Sequence, residues 1–216
     1  MKKACLDLRV SSIEKQNEKY FLLKLTHQLP LPQMVPGQFV EVRVDHSPTT
    51  FLRRPISINN YVAEANELWL LVGGGVGVAP LLYFGKKIRE AGARPTFLLG
   101  ARTQADLLQL ELFEKLGDVH VTTEDGSYGE KGFVTNHSVL ERVRFDQISC
   151  CGPKPMMMAV ARYAAKNDIF CEVSLENMMA CGLGACLCCV EKTVSGNLCV
   201  CKEGPVFNIK KLLWQV

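Results

Sequence analysis

The chain has 216 residues, enough for one large domain or two modest ones with real cores, and at 48% hydrophobic and 22% charged it is ordinary for a globular protein. The net charge of +3 comes from lysines and arginines spread along the chain, which argues against a nucleic-acid partner. Asp7 and Arg9 interrupt the N-terminus, so no signal peptide is expected, and no apolar run reaches membrane-spanning length; ten cysteines in that setting point to a cytoplasmic, reducing compartment and to metal ligation rather than disulfides.

Residues 1–60 read as strands, with β-branched and aromatic residues over 19–26 and a clean alternation over 38–44, separated by Pro30, Pro32 and Pro36-Gly37. An antiparallel barrel or sandwich is expected. Next comes Arg54-Pro55-Ile56-Ser57, where Arg54 suits a phosphate and Ser57 a flat polar ring; an edge strand with two solvated arginines accounts for the same spacing equally well. An apolar strand then enters Gly73-Gly74-Gly75-Val76-Gly77-Val78-Ala79-Pro80 and leaves as a helix with Leu81, Phe84 and Ile88 on one side. That is the form of a nucleotide-binding βα turn, although Pro80 stands where the last glycine of G-x-G-x-x-G would fall.

Further strands are expected at 95–102, 119–123, 145–151 and 170–175. Helices are expected around Leu107, Leu108, Leu112 and Leu116, over 134–143 and over 156–166. This alternation implies a doubly wound parallel sheet with its ligand at the carboxyl ends of the strands. Gly100-Ala101-Arg102, Glu124-Asp125-Gly126 and Cys151-Gly152-Pro153 all fall there. Met156-Met157-Met158 reads as helix core or cleft lining. His27, His46, His120 and His137 sit in unrelated surroundings and suggest no catalytic dyad. The end of the chain, with Ile209, Leu212, Leu213 and Trp214, reads as a packing tail.

The densest signal is the C-terminal cysteine stretch, with six cysteines in residues 181–201. Cys181, Cys186 and Cys189 have the C-x4-C-x2-C spacing of a plant-type [2Fe–2S] site; Cys188 would leave one intervening residue after Cys186 and does not fit. Gly182 and Gly184 let the loop curl around an inorganic core and aim its amides at sulfur. Structural zinc favours two short knuckles, and buried free cysteines as plain hydrophobes are seldom so dense; both readings are weaker here. For the fourth thiolate the spacing does not choose. In an extended Cys199-Val200-Cys201 both cysteine side chains face the same way.

Together these motifs, in this order, resemble the electron-transfer subunit of NAD-dependent (type B) dihydroorotate dehydrogenase, within the ferredoxin–NADP reductase superfamily. The matching runs are Arg54-Pro55-Ile56-Ser57, Gly73 through Pro80, Cys151-Gly152-Pro153-Lys154-Pro155-Met156-Met157, Met179-Ala180-Cys181-Gly182-Leu183-Gly184-Ala185-Cys186 and Cys201-Lys202-Glu203-Gly204-Pro205-Val206-Phe207. The resemblance implies an α/β-plus-β architecture: a FAD-binding β-barrel over residues 1–66, a NAD-binding nucleotide fold over 67–174 and a [2Fe–2S] subdomain over 175–216. It places Arg54, Pro55, Ile56 and Ser57 at FAD. It places Gly75 and Gly77 against the nicotinamide dinucleotide and the Cys151-Gly152-Pro153 turn by the nicotinamide; Gly74 in the same glycine loop, and Ala101, Arg102, Glu124 and Asp125 at the strand ends, are expected at NAD with them. It selects Cys181, Cys186, Cys189 and Cys201 as cluster ligands. The implied partner is an FMN-containing subunit that oxidises dihydroorotate in pyrimidine biosynthesis, two of each forming a heterotetramer. Electrons would pass from that FMN through [2Fe–2S] and FAD to NAD.

The sequence departs from the family at one place. Between the Arg-Pro-Ile-Ser strand and the glycine loop the family carries a few tens of residues with a further barrel strand and the turn that meets the FAD pyrophosphate. Here only residues 59–66 precede the strand that begins near Glu67. That strand cannot serve both barrel and sheet; it is expected in the sheet, which leaves an open barrel with an exposed edge and weak FAD binding. Two other functions fit the same residues: the electron-transfer subunit of another NAD(P)H-linked reductase, or a non-catalytic iron–sulfur interaction module that has lost FAD.

Overall fold

In a computed structural model the described residues are 5–28, 39–42, 54–57 and 67–214. They fall in two compact units, 1–34 and 35–216. In the first, β1 (Arg9–Lys15) pairs antiparallel with β2 (Phe21–Thr26), with a bulge between Val10 and Ser12. Their turn is held by the Asn17 side-chain oxygen, which accepts from the amides of Lys19 at 2.9 Å and Tyr20 at 3.0 Å.

In the second unit β3 (Phe39–Val42) and β4 (Arg54–Ser57) form a two-stranded antiparallel sheet, with Val42 opposite Arg54 and Phe39 opposite Ser57. The four residues expected at FAD are thus one short strand, and their side chains lie outside the described residues.

The rest of this unit is built on β5 (Trp69–Gly74), α1 (Val78–Glu90), β6 (Thr96–Ala101), α2 (Leu110–Glu114), β7 (Asp118–Thr123), β8 (Glu130–Lys131), α3 (Val139–Arg142), β9 (Gln147–Cys151), α4 (Lys154–Lys166) and β10 (Phe170–Ser174). After these come the hairpin β11 (Val190–Thr193) and β12 (Gly196–Cys199), a single helical turn α5 (Val200–Glu203), and β13 (Val206–Asn208). The sheet runs β13-β10-β9-β5-β6-β7-β8, parallel except for the antiparallel edge strand β13. The strand beginning near Glu67 does enter this sheet, with β6 on one side and β9 on the other.

Every residue of β5 is buried, as a central parallel strand covered on both faces requires. Its side chains alternate between two cores. Trp69 and Leu71 pack with Leu81, Phe84 and Ile88 of α1 and with Phe97 and Phe113. Leu70 and Val72 pack with Met157, Val160 and Ala164 of α4, in a cluster that continues into Cys189, Val200, Cys201 and Trp214. The C-terminal segment is therefore fused to the α4 face of the sheet, and Ile209, Leu212 and Trp214 act as the expected packing tail.

Two expected helices are shorter than the apolar spacing suggests. Around Leu107 to Leu116 there is a 3-10 turn at Gln104–Asp106, then extended Leu107, then Gln109 with φ 55°; only α2 remains helical. A left-handed residue cannot lie inside a right-handed helix. Over 134–143 the extended backbone of His137, ψ 133°, separates a 3-10 turn at Val134–Asn136 from α3. Among the described residues no helix is long and apolar enough to cross a membrane.

Candidate cofactor-binding sites

The chain order of the parallel strands reverses between β5 and β9, the point where open α/β sheets take their ligand. Both strands end there in tight turns, with Gly73 opposite Cys151. Gly75 has φ 57°, which lets β5 turn sharply into the 3-10 segment Gly75–Gly77 and then α1. A Cβ on Gly77 would sit 2.7 Å from the carbonyl carbon and oxygen of Cys151 and from Cα of Gly152, so the two turns are in backbone contact. Met156 packs over this crossing, its Sδ 2.6 Å from where a Gly74 Cβ would stand, and Met157 is core; the methionine run serves packing, as expected.

The 13-residue helices α1 and α4 both start at this crossing. Neither has a side-chain cap or an acidic residue in its first turn, so no carboxylate competes with an anion there, although the Val78 amide that opens α1 already donates back to Gly75 O. Pro80 and Pro155 are tolerated because first-turn amides have no intrahelical acceptor.

The other residues expected at NAD lie along the same edge, one and two strands over. Glu124 N–H donates to Ala101 O at 3.1 Å and Asp125 N–H to Arg102 O at 3.2 Å, tying the ends of β6 and β7. Asp125 accepts from Ser127 Oγ at 2.7 Å and Ser127 N at 3.0 Å, which holds its carboxyl group below the usual range. Ten residues expected at one ligand thus share one edge, with Gly74, Gly75, Gly77, Cys151, Gly152 and Pro153 at the reversal and Ala101, Arg102, Glu124 and Asp125 beside it.

Glu176 joins this edge, and sequence reasoning missed it. The fully buried Cys151 thiol donates to Glu176 Oε1 at 3.6 Å. Although Glu176 as a residue is exposed, burial of its carboxyl group pushes its pKa up, and burial likewise pushes the Cys151 thiol up. Its place directly after β10 and just ahead of the cysteine loop was the available signal.

If these turns frame the dinucleotide, Gly77→Ala forces them apart. Overpacking costs about 1–3 kcal/mol, so NADH affinity measured by calorimetry is expected to fall roughly 5- to 150-fold while the visible bands of the cysteine site stay unchanged. Unaltered affinity in a folded variant would place the dinucleotide elsewhere.

The cysteine loop, residues 176–189, is irregular backbone shaped by Gly182 (φ 62°), Gly184 (φ 78°) and Leu187 (φ 59°). Its amides point at sulfur. Leu183 N and Cys186 N donate to Cys181 Sγ at 3.3 and 3.4 Å, Gly184 N to Cys201 Sγ at 3.2 Å, and Cys201 N to Cys189 Sγ at 3.4 Å. The Cys186 and Leu183 amides, with the Cys186 thiol, lower Cys181 to about 6. Burial and the neighbouring Cys189 raise Cys201.

The four expected ligands fall into two pairs tied through backbone amides, the Cys186 N–H donating to Cys181 Sγ and the Cys201 N–H to Cys189 Sγ. Among the described residues no three His, Cys, Asp or Glu side chains gather at one point for a single metal ion. Two thiol pairs in an amide-lined loop fit a two-iron core that takes two thiolates per iron.

Two expectations need correction. The Cys199-Val200-Cys201 segment is not extended. Cys199 ends β12 at φ −86°, ψ 112°, and Val200 opens α5, so the two cysteines diverge: Cys201 is buried and Cys199 half-buried. Glu203 stabilises this corner by accepting the Cys199 amide at 2.8 Å. Secondly, His120 and His137 are not unrelated, since their rings meet edge-on at 5.1 Å. His137 Nδ1 accepts the Val139 amide at 3.0 Å, leaving Nε2 to carry the proton toward Glu130 Oε1 at 3.5 Å. Burial pushes both imidazoles down, and the pair lies within β7 and the turn before α3, not at the carboxyl edge.

Comparison with known proteins covers both sites. Residues 71–162 match the family model for an oxidoreductase NAD-binding domain, and residues 176–213 match the iron–sulfur cluster binding domain of dihydroorotate dehydrogenase B. The electron transfer subunit of dihydroorotate dehydrogenase B (NAD(+)) from Shouchella clausii is 35% identical over 94% of this chain and 96% of its own length. A probable subunit of the same kind from Methanocaldococcus jannaschii is 44% identical over 70% of this chain and 59% of its own. Among solved structures, the NADH-dependent reduced ferredoxin–NADP oxidoreductase studied for flavin-based electron bifurcation superposes with a TM-score of 0.82 at 26% identity, covering 99% of this chain and 92% of that one. The S. clausii alignment spans 252 positions, whereas 94% of 216 is about 203 residues, so about 49 positions have no counterpart here. The motifs, the crossing of the two turns, the paired cysteines and these likenesses agree: the chain belongs to the family of electron transfer subunits of dihydroorotate dehydrogenase B (NAD(+)).

Proposed function

We propose that this chain carries electrons from the FMN of a dihydroorotate-oxidising catalytic subunit to NAD, in the cytoplasm, as part of a heterotetramer with two of each subunit. In this reading residues 175–216 hold the cluster through Cys181, Cys186, Cys189 and Cys201, residues 67–174 bind NAD, and residues 1–66 form a shortened flavin barrel with Arg54, Pro55, Ile56 and Ser57 at FAD. When bound, the iron–sulfur and flavin groups supply the one-electron and hydride chemistry. The chain's own residues bind and orient. Amides of Leu183, Gly184, Cys186 and Cys201 stabilise negative charge on the ligand sulfurs. The first turns of α1 and α4 receive the dinucleotide phosphates. Cys151 and Glu176 flank the turn beside them.

The observation that carries this reading is the cysteine loop, whose four cysteines fall into two pairs with backbone amides donating to the sulfurs of Cys181, Cys189 and Cys201. Its test is co-expression with an FMN-containing dihydroorotate oxidase. The two chains are expected to co-elute and together reduce NAD with dihydroorotate, which neither does alone. Separate elution with no NAD reduction would refute it. The about 49 unmatched positions favour a second reading, an iron–sulfur module that kept the fold and lost FAD; cluster bands without NADH-driven dye reduction would select it.

A further inference from the structure

Cys199 is not one of the four proposed ligands, yet it reaches the loop that carries them. Its Sγ lies 3.6 Å from the carbonyl oxygen of Gly184. The N–H of that same glycine donates to Cys201 Sγ at 3.2 Å. Gly184 is therefore gripped from both ends, by one cysteine that is a proposed ligand and by another that is not. The glycine has φ 78° and so lacks the side chain that would otherwise restrain its peptides.

On the other side, Cys199 is itself held. Its amide donates to Glu203 Oε2 at 2.8 Å, and Val190 lies opposite it across the β11–β12 hairpin. The turn into α5 sends Cys201 inward and leaves Cys199 facing the loop.

We propose that Cys199 is a positioning residue for the cluster: its S–H fixes the Gly184 residue so that the Gly184 N–H stays aimed at the Cys201 sulfur. The inference rests on Cys201 being a ligand, as proposed above. Hydrogen bonds to cluster sulfurs stabilise the added electron and raise the reduction potential. Losing the Cys199 donor loosens Gly184 and weakens that bond.

The test uses the full chain and its Cys199→Ala and Cys199→Ser variants, with iron and sulfide content and the midpoint potential followed by EPR-monitored titration. Cys199→Ala is expected to keep its iron but shift the midpoint to more negative values. Cys199→Ser, whose hydroxyl donates to the same carbonyl, is expected to restore it. An unchanged midpoint in an iron-loaded Cys199→Ala overturns the proposal. So does loss of iron from Cys199→Ala while Cys201→Ala stays loaded, which would make Cys199 the ligand. If Cys199→Ala loads poorly, hydrogen exchange at the Gly184 amide in the metal-free chains decides: faster exchange than in the parent is expected, and equal exchange overturns. Absence of iron from the parent chain itself would sink the ligand assignment instead.

Discussion

Alanine at any one of Cys181, Cys186, Cys189 or Cys201 is expected to remove the cluster, taking iron from about two per chain to near zero and abolishing its visible bands. Alanine is the decisive replacement, because a serine oxygen can still ligate iron. The two pairs are expected to differ in side effects. Cys189 and Cys201 are 1% and 6% exposed and belong to the core shared with α4 and β10, so truncating either also removes packing. Cys181 and Cys186 lie toward solvent, and their loss should leave the melting temperature of the cluster-free chain nearly unchanged. Cys188→Ala is the control. That residue is exposed, beside Leu187 at φ 59°, and its loss should leave iron content intact. Full iron in Cys201→Ala, or none in Cys188→Ala, would overturn the assignment.

Purified without its partner, the chain is expected to keep its iron and lose its flavin on desalting, with FAD well below one per chain. The reason is structural. β5 is paired on both sides within the parallel sheet, so it closes no barrel, and among the described residues β4 has β3 as its one strand partner. The short link over residues 59–66 leaves no room for the strand and turn that meet the flavin pyrophosphate in the family. FAD resting on Arg-Pro-Ile-Ser alone would have Arg54 for a phosphate but no turn at its pyrophosphate. NADH-driven dye reduction should therefore require added FAD and saturate only at high flavin concentration. Tight stoichiometric FAD in the purified chain would sink this expectation and show that the shortened barrel still closes.

Much of this was legible in the residues, for reasons that differ by element. The β5–glycine–α1 unit could be read because its signals are local: a continuous apolar run, glycines where the backbone must turn or approach closely, and apolar side chains spaced along one helix face. The cysteine loop could be read because a two-iron core demands a particular ligand spacing. The helices over 107–116 and 134–143 were over-read, because apolar spacing carries no trace of one left-handed residue, Gln109, or one extended residue, His137. Burial of scattered leucines satisfied the same pattern without a helix.

The order of motifs along the chain was enough to establish the family, the parallel sheet and the cluster spacing, since each depends on residues close together in sequence. Tertiary structure alone decided which distant groups meet. It brought Gly77 against Cys151 and Glu176 against the Cys151 thiol, and it set His120 beside His137. It also separated Cys199 from Cys201: the chain turns from β12 into α5 between them, and that one change in backbone direction sends one sulfur into the core and leaves the other on the Gly184 carbonyl. Spacing counts residues along the chain, and side-chain direction depends on the backbone angles between them.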